Sequence, residues 1–404
     1  MKNEKKNPHL ASYSECTGCG ACAASCHHNA ISMQYDKNGH LMPFVSSVKC
    51  VGCGVCTYKC PVQNHSTTFH SVKEIKTYSA WSKNDELCLS ATSGGVFAQL
   101  ALDALKNNEN AIVFGAELSD HNTCKHVGIT KISELPRILG TKYLQSDVSD
   151  AYGECKKSLQ EGQNVCFCGT PCQIAGLYSF LGKINKDKLL TIELICHGVP
   201  SKITSDISCQ YYGAHHIVSF RNKNSGWHKG FDCTYADRDG NIIEKGAGEF
   251  FYRNFGGTDR PSCYHCLYAR IERCADITLG DQWGLKDKYP DRASLGANLV
   301  ICNDSKGDDA LTQSDMICFN SESCRSLNAP TLFMPIAVSA CSLSKHLFFI
   351  KKFPNCLKFA IISIDWRQGW YLIPLAIWRK IIVKHYQQNL KDKIKFTRKQ
   401  NNWI

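Results

Sequence analysis

No stretch of the 404 residues reaches the roughly eighteen uninterrupted apolar residues that a membrane-spanning helix needs. The opening segment, MKNEKKNPHLASYSEC, carries charges but lacks the apolar core of a secretory leader, so export is not expected. Glutamate is missing from residues 345–404, which hold thirteen Lys or Arg against two Asp. That tail accounts for the whole formal net charge of +11 and leaves the rest of the chain near neutral. Charge therefore gives no reason to expect a nucleic-acid partner for the body of the protein.

Cysteine is what the sequence has in excess: 25 residues. A chain kept in the reducing cytoplasm has little use for disulfides, so this number points to metal or redox chemistry. A cytoplasmic location is the expectation.

Three segments separate by composition. Residues 1–75 are short, Gly- and Cys-rich and internally duplicated, and end in the polar stretch QNHSTTFHSVKE. Residues 76–340 alternate helical and apolar strand patterns. SGGVFAQLALDALKN (93–107) reads as a helix, and AIVFGAEL, NVCFCG and LLTIELICHG as buried strands running into loops. IVSFRNK, GFDCTYAD and NIIEKGAG read as antiparallel hairpin strands. Residues 341–404 form a basic tail with four of the seven tryptophans, Trp366, Trp370, Trp378 and Trp403. Rings mixed with cations suit a weak peripheral contact with the cytoplasmic membrane face. The competing reading is a helix packed on the preceding domain.

The duplicated segment holds two runs of the form Cys-x2-Cys-x2-Cys-x3-Cys. In two-cluster ferredoxins three cysteines of a run ligate one 4Fe-4S cluster and the fourth ligates the other. One cluster would then use Cys16, Cys19, Cys22 and Cys60, the second Cys50, Cys53, Cys56 and Cys26. A pair of zinc knuckles is the alternative, but four-Cys zinc sites use two well-separated Cys-x2-Cys pairs. The segment resembles bacterial-type ferredoxin domains. His27 departs from the pattern, standing where the first run would usually show proline.

Downstream, CFCGTPCQIAGL places Cys172 in the first turn of a helix capped by Thr170, where the helix dipole should favour the thiolate. Cys196 falls near the end of the next apolar strand, and RPSCYHC adds Cys263 and Cys266. These four could hold a third cluster, or Cys172 and Cys196 could be small buried residues.

The ordered set TSGGVF, GTKYLQS, FCGTPCQIAGL, CHGVPS, SFRNKNSGW, RPSCYHC and ADITLGDQWG resembles the coenzyme F420 hydrogenase/dehydrogenase beta-subunit family. The resemblance spans about residues 15–305 and leaves the tail outside. It implies an α+β to α/β architecture: a duplicated ferredoxin-like domain followed by a mixed-sheet, flavin-binding domain. It also implies FAD beside a core 4Fe-4S cluster ligated by Cys172, Cys196, Cys263 and Cys266, with Cys168 and Cys274 in reserve. Ser93, Gly94, Gly95, Lys142 and Tyr143 correspond to the flavin surroundings.

The function expected is an oxidoreductase passing electrons between ferredoxin-type clusters, a core cluster, FAD and an unidentified acceptor, in either direction. Ferredoxin or another redox protein and a small-molecule acceptor are the expected partners. His197 and Asp281 are the candidate proton carriers. The alternative is an electron-transfer adaptor or redox sensor without its own substrate.

Overall fold

The computed structural model describes residues 8–71, 75–229, 232–246, 250–254, 258–270, 272–282 and 289–320. The basic tail lies outside them. Among the described residues, no helix is long and apolar enough to cross a membrane.

The duplication is visible in the backbone. Gly20 (φ 75°) turns the chain left-handed into helix α1 (Ala21–Ala24), and Gly54 (φ 76°) does the same for α2 (Val55–Tyr58). Such φ values favour glycine, which has no Cβ to clash. Between the runs, strands β1 (Ile31–Tyr35) and β2 (Leu41–Val45) pair antiparallel, Ile31 facing Val45 and Tyr35 facing Leu41. Cys60 precedes α3 (Pro61–Asn64), whose first residue is the proline that a helix tolerates there.

A large sheet follows. Its first strand, β3 (Lys76–Ser82), leads through α4 (Asp85–Ser90) into α5 (Val96–Asn107). Next come β4 (Ala111–Leu118), β5 (Cys124–Ile129), α6 (Leu135–Ile138), β6 (Ser146–Asp147) and α7 (Ser149–Gln160). Then β7 (Asn164–Gly169), α8 (Pro171–Leu181) and β8 (Leu189–Leu194) complete the parallel centre. Strands β9 (His216–Asn222), β10 (Asp232–Ala236) and β11 (Ile242–Lys245) form the separate antiparallel meander that the sequence indicated. Strands β12 (Ile277–Asp281), β13 (Asn298–Cys302) and β14 (Met316–Asn320) return to the large sheet. Its order is β14-β3-β13-β12-β8-β7-β4-β5-β6, nine strands in all.

Strands β4, β7, β8 and β12 run parallel to one another. β13 is antiparallel to β12 and β3 antiparallel to β13, so β3 ends at the same edge as β12. Ser82, Asp281, Leu194 and Gly169 therefore close their strands along one carboxyl edge, where ligands collect in such sheets.

Strand side chains alternate between faces. On one face Cys166 and Cys168 of β7 pack with Val96, Leu100 and Ala101 of α5. On the other, Val165 and Phe167 pack with Tyr152 of α7 and Ile174 and Leu177 of α8. Each such fully buried apolar side chain contributes about 1.5–3 kcal/mol. Cys19 and Ala21 of the first cysteine run join this second face, so the duplicated segment is seated on α7 and α8.

Candidate functional site

The two cysteine runs fold into two cups. Cys16, Cys19 and Cys22 line one open cup together with Cys60 from the second run. Cys50, Cys53 and Cys56 line the other together with Cys26 from the first run. The runs thus interlock through Cys26 and Cys60. Burial pushes the Cys16 and Cys22 thiols up and the Cys19 thiol to about 12, with the thiols of Cys16, Cys60 and Cys172 adding to the rise at Cys19. The outer cup is wetter: Cys53 is exposed, and the Cys56 thiol is raised by burial, with Cys26 a minor contributor. Four convergent sulfurs in a cup roomy enough to line a cavity suit a soft metal or an iron–sulfur cluster. The donor sets present fit that group.

The third set lies at the carboxyl edge. Thr170 precedes α8, and its backbone N–H donates to Gln173 Oε1 (2.9 Å), one arm of a capping box. Cys172 follows, its sulfur 3.3 Å from the Thr170 hydroxyl. The expectation of an acidic thiol there is corrected: burial raises it. Thr170, the Arg260 guanidinium and the helical N–H groups of Cys172 and Gln173 pull it back only in part. Cys196 lies two residues beyond β8, and burial, with Cys172 and Cys266 nearby, pushes its thiol to about 12. Cys263 is likewise raised by burial and by Cys196 and Cys266. Cys196 thus lies within electrostatic reach of Cys172, Cys263 and Cys266. Cys172 also lies within reach of Cys16 and Cys19 in the inner cup. Cys168 packs in the core on the opposite face of the sheet, away from this set. Cys274 donates to Glu193 Oε2 at 3.0 Å, beside an ion pair of that carboxylate with Arg273.

The residues matched to flavin surroundings divide. The Ser93 hydroxyl donates to Ala297 O (2.6 Å), and a Cβ on Gly94 would come within 2.7–2.8 Å of Ala80 O and Asn298 N. The Val96 N–H at the start of α5 donates to Asn298 Oδ1 (3.3 Å). This turn is packed onto the sheet by its own contacts. The neighbouring loop joins it through the Thr92 and Thr141 hydroxyls, 2.6 Å apart, followed by Lys142 and Tyr143. Lys142 donates to Leu139 O (2.6 Å), and burial brings its ammonium down to about 8. Tyr143 stacks with Phe251 and meets Phe220 edge-on.

Two residues inside SFRNKNSGW, given no role from sequence, complete this edge. Lys223 donates to Ser93 O and Leu295 O, both at 2.6 Å, and to Cys88 O, and burial brings it to about 7. Arg221 pairs with Asp281 at 2.6 Å, so the candidate Asp281 is held by a cation. The His197 side chain is exposed at this edge, and desolvation by the surrounding protein lowers its basicity, with Asp281 opposing. Cations and an aromatic ring at one sheet edge fit a flavin nucleotide; the Ser93–Gly94 turn, spent on packing, does not add an obvious phosphate cradle.

Residues 15–64 match the family described as 4Fe-4S dicluster domain. Residues 162–321 match the family that describes the C terminus of the coenzyme F420 hydrogenase/dehydrogenase beta chain. The protein is related to the coenzyme F420 hydrogenase/dehydrogenase beta subunits. It is an iron–sulfur, electron-transfer, oxidoreductase-like protein. Among solved structures it is similar to a chain of the xenon-derivatised F420-reducing NiFe hydrogenase complex from Methanosarcina barkeri. That match has 16% identity and a TM-score of 0.46, covering 69% of this chain and 93% of the other. No curated protein matches the chain.

Proposed function

We propose that this protein is an iron–sulfur flavoprotein oxidoreductase, built as a two-cluster module (1–75), a core-cluster and FAD module (76–340) and a basic tail (341–404). The inner cup of Cys16, Cys19, Cys22 and Cys60 and the outer cup of Cys50, Cys53, Cys56 and Cys26 would each hold a 4Fe-4S cluster. Cys172, Cys196, Cys263 and Cys266 would hold the third. When bound, the clusters supply single-electron transfer, and FAD supplies exchange between single electrons and pairs.

The observation that carries this reading is the serial contact of the thiol sets. The outer cup reaches the surface at Cys53, the two runs interlock, and Cys172 adjoins the inner cup. Around the outer cup Val48, Val51 and Tyr58 are exposed, a face suited to a redox protein such as a ferredoxin. At the far end Lys142, Tyr143, Arg221 and Lys223 would orient FAD, with Ser93, Gly94 and Gly95 shaping the wall behind it. A small-molecule acceptor would enter at this carboxyl edge. There His197, exposed and made less basic by desolvation, would pass a proton and Asp281 would keep Arg221 in place.

Anaerobically prepared full-length protein should contain about twelve iron and about twelve acid-labile sulfide, for three cubane clusters, and release FAD on denaturation. About eight iron would remove the core cluster, and zinc in place of iron would overturn the reading. An adaptor without its own substrate is the second reading, favoured by the inward-directed contacts of the Ser93–Gly94 turn. Intact clusters with no flavin after reconstitution would establish it.

A further inference from the structure

Arg260 opens the RPSCYHC motif, yet its side chain points away from solvent and is 1% exposed. Its Nη1 donates to Cys16 O (3.2 Å) and Met42 Sδ (3.0 Å). Its Nη2 donates to Leu41 O (2.6 Å) and to Gln145 Oε1. All four acceptors are neutral, Nε has no hydrogen bond, and among the described residues no carboxylate pairs with the guanidinium. Asp259, just before it in the chain, instead lies against Gly198, where a Cβ would come within 3.2 Å of its carboxyl group.

Burying a cation without an anion costs several kcal/mol, so such groups are found paired. The proposed cluster ligands lie around Arg260: its Nη1 donates to the Cys16 carbonyl, its own carbonyl accepts from the Cys263 N–H at 3.0 Å, and its charge opposes the burial-driven rise of the Cys16, Cys172 and Cys263 thiols. Gly18 shows how closely it is seated, since a Cβ there would stand 2.7 Å from Arg260 Nη2 and from Gln145 Nε2.

Resting on the cluster assignment above, we infer that Arg260 is the shared countercharge of the inner-cup and core clusters, raising the reduction potential of both. Cluster ligands are thiolates, and adding an electron makes the site more negative. A fixed cation between two such sites favours the reduced form of each, and the dry surroundings leave its field weakly screened. Among the described residues, the outer cup has no such buried cation beside it. The positioning of charge, rather than contact with substrate, is the role.

The test is an EPR-monitored redox titration of the full-length, cluster-loaded protein, with Arg260→Gln and Arg260→Lys. In Arg260→Gln two of three potentials should fall by at least tenfold in the one-electron equilibrium constant, ~59 mV, while the third stays. Arg260→Lys should restore most of the difference. Unmoved potentials, or an equal fall in all three, would overturn the inference. Should Arg260→Gln lose its clusters, Gln145→Glu, which leaves Arg260 in place and adds a countercharge, must lower the same two potentials. Cluster loss in both variants would assign Arg260 to folding alone and overturn the inference. Wild-type protein lacking the core cluster signal would instead remove the functional reading, a separate outcome seen before any variant is made.

Discussion

Gly176 of α8 lies directly against Cys19 of the inner cup: a Cβ on the glycine would stand 3.1 Å from the Cys19 Cβ and 2.8 Å from the Tyr152 hydroxyl. That hydroxyl also donates to Cys19 O at 2.9 Å. Overpacking at such a contact costs about 1–3 kcal/mol, against about 1 kcal/mol gained in helix propensity. Gly176→Ala should therefore lower stability, whereas Gly153→Ala on α7, with open space at its Cβ, should raise it. Denaturant midpoints of the two variants decide this, and a stabilised Gly176→Ala would show that the seat yields.

Exchange of fourth ligands between the cysteine runs gives a crossed phenotype. Cys60→Ala should disturb the same EPR signal as Cys22→Ala, and Cys26→Ala the same as Cys53→Ala, each with loss of up to about four iron. Cys60→Ala matching Cys53→Ala instead would mean that each run keeps its own cluster.

His126 is buried, its Nε2–H donating to Cys168 O (2.7 Å), and burial lowers its pKa to about 4. The unfolded chain binds that proton near pH 6.5, well above the folded pKa. Stability is thus intact above pH 6.5 and declines as pH falls toward 4, by on the order of 3 kcal/mol at the lower end. His126→Gln, able to donate to the same carbonyl, should flatten this part of the profile. Parallel curves for wild type and variant would place the acid sensitivity elsewhere.

Lys223 ties a carbonyl of α4 to carbonyls of two loops beside the proposed flavin edge. Each buried acceptor left unsatisfied costs about 1–3 kcal/mol. Lys223→Met should destabilise the protein and lower the FAD-to-protein ratio after desalting, with Lys223→Arg intermediate. An unchanged ratio would take this lysine out of the flavin's surroundings.

For the tail, sedimentation with liposomes is the measurement. Binding should need anionic lipid, fall as salt rises and vanish on truncation after Cys341. Truncated protein that still sediments would assign membrane contact to another surface.

The sequence revealed these sites unevenly. Cluster-type spacing is local, so Cys16 through Cys60 could be sorted into two cups before any fold was known. The strands AIVFGAEL and NVCFCG also declared themselves, because buried parallel strands are short apolar runs. Arg260 did not: its acceptors at Cys16, Leu41, Met42 and Gln145 are scattered along the chain and meet only after docking. Lys223 was hidden for the same reason. Cys172 shows the opposite failure, a sound local inference from the helix start that burial outweighs.

The two left-handed turns that open α1 and α2 began as copies, but their surroundings differ. A side chain at Gly20 would press on Val148 (3.1 Å) and Ser149 (3.2 Å), while one at Gly54 would meet nothing within 4 Å. One half of the repeat is locked against a neighbour, and the other answers only to its own backbone. Asparagine, which tolerates positive φ, should be accepted at Gly54 and refused at Gly20. Mutational drift in this protein should thus gather in the outer repeat, so that two segments of common origin change at unequal rates.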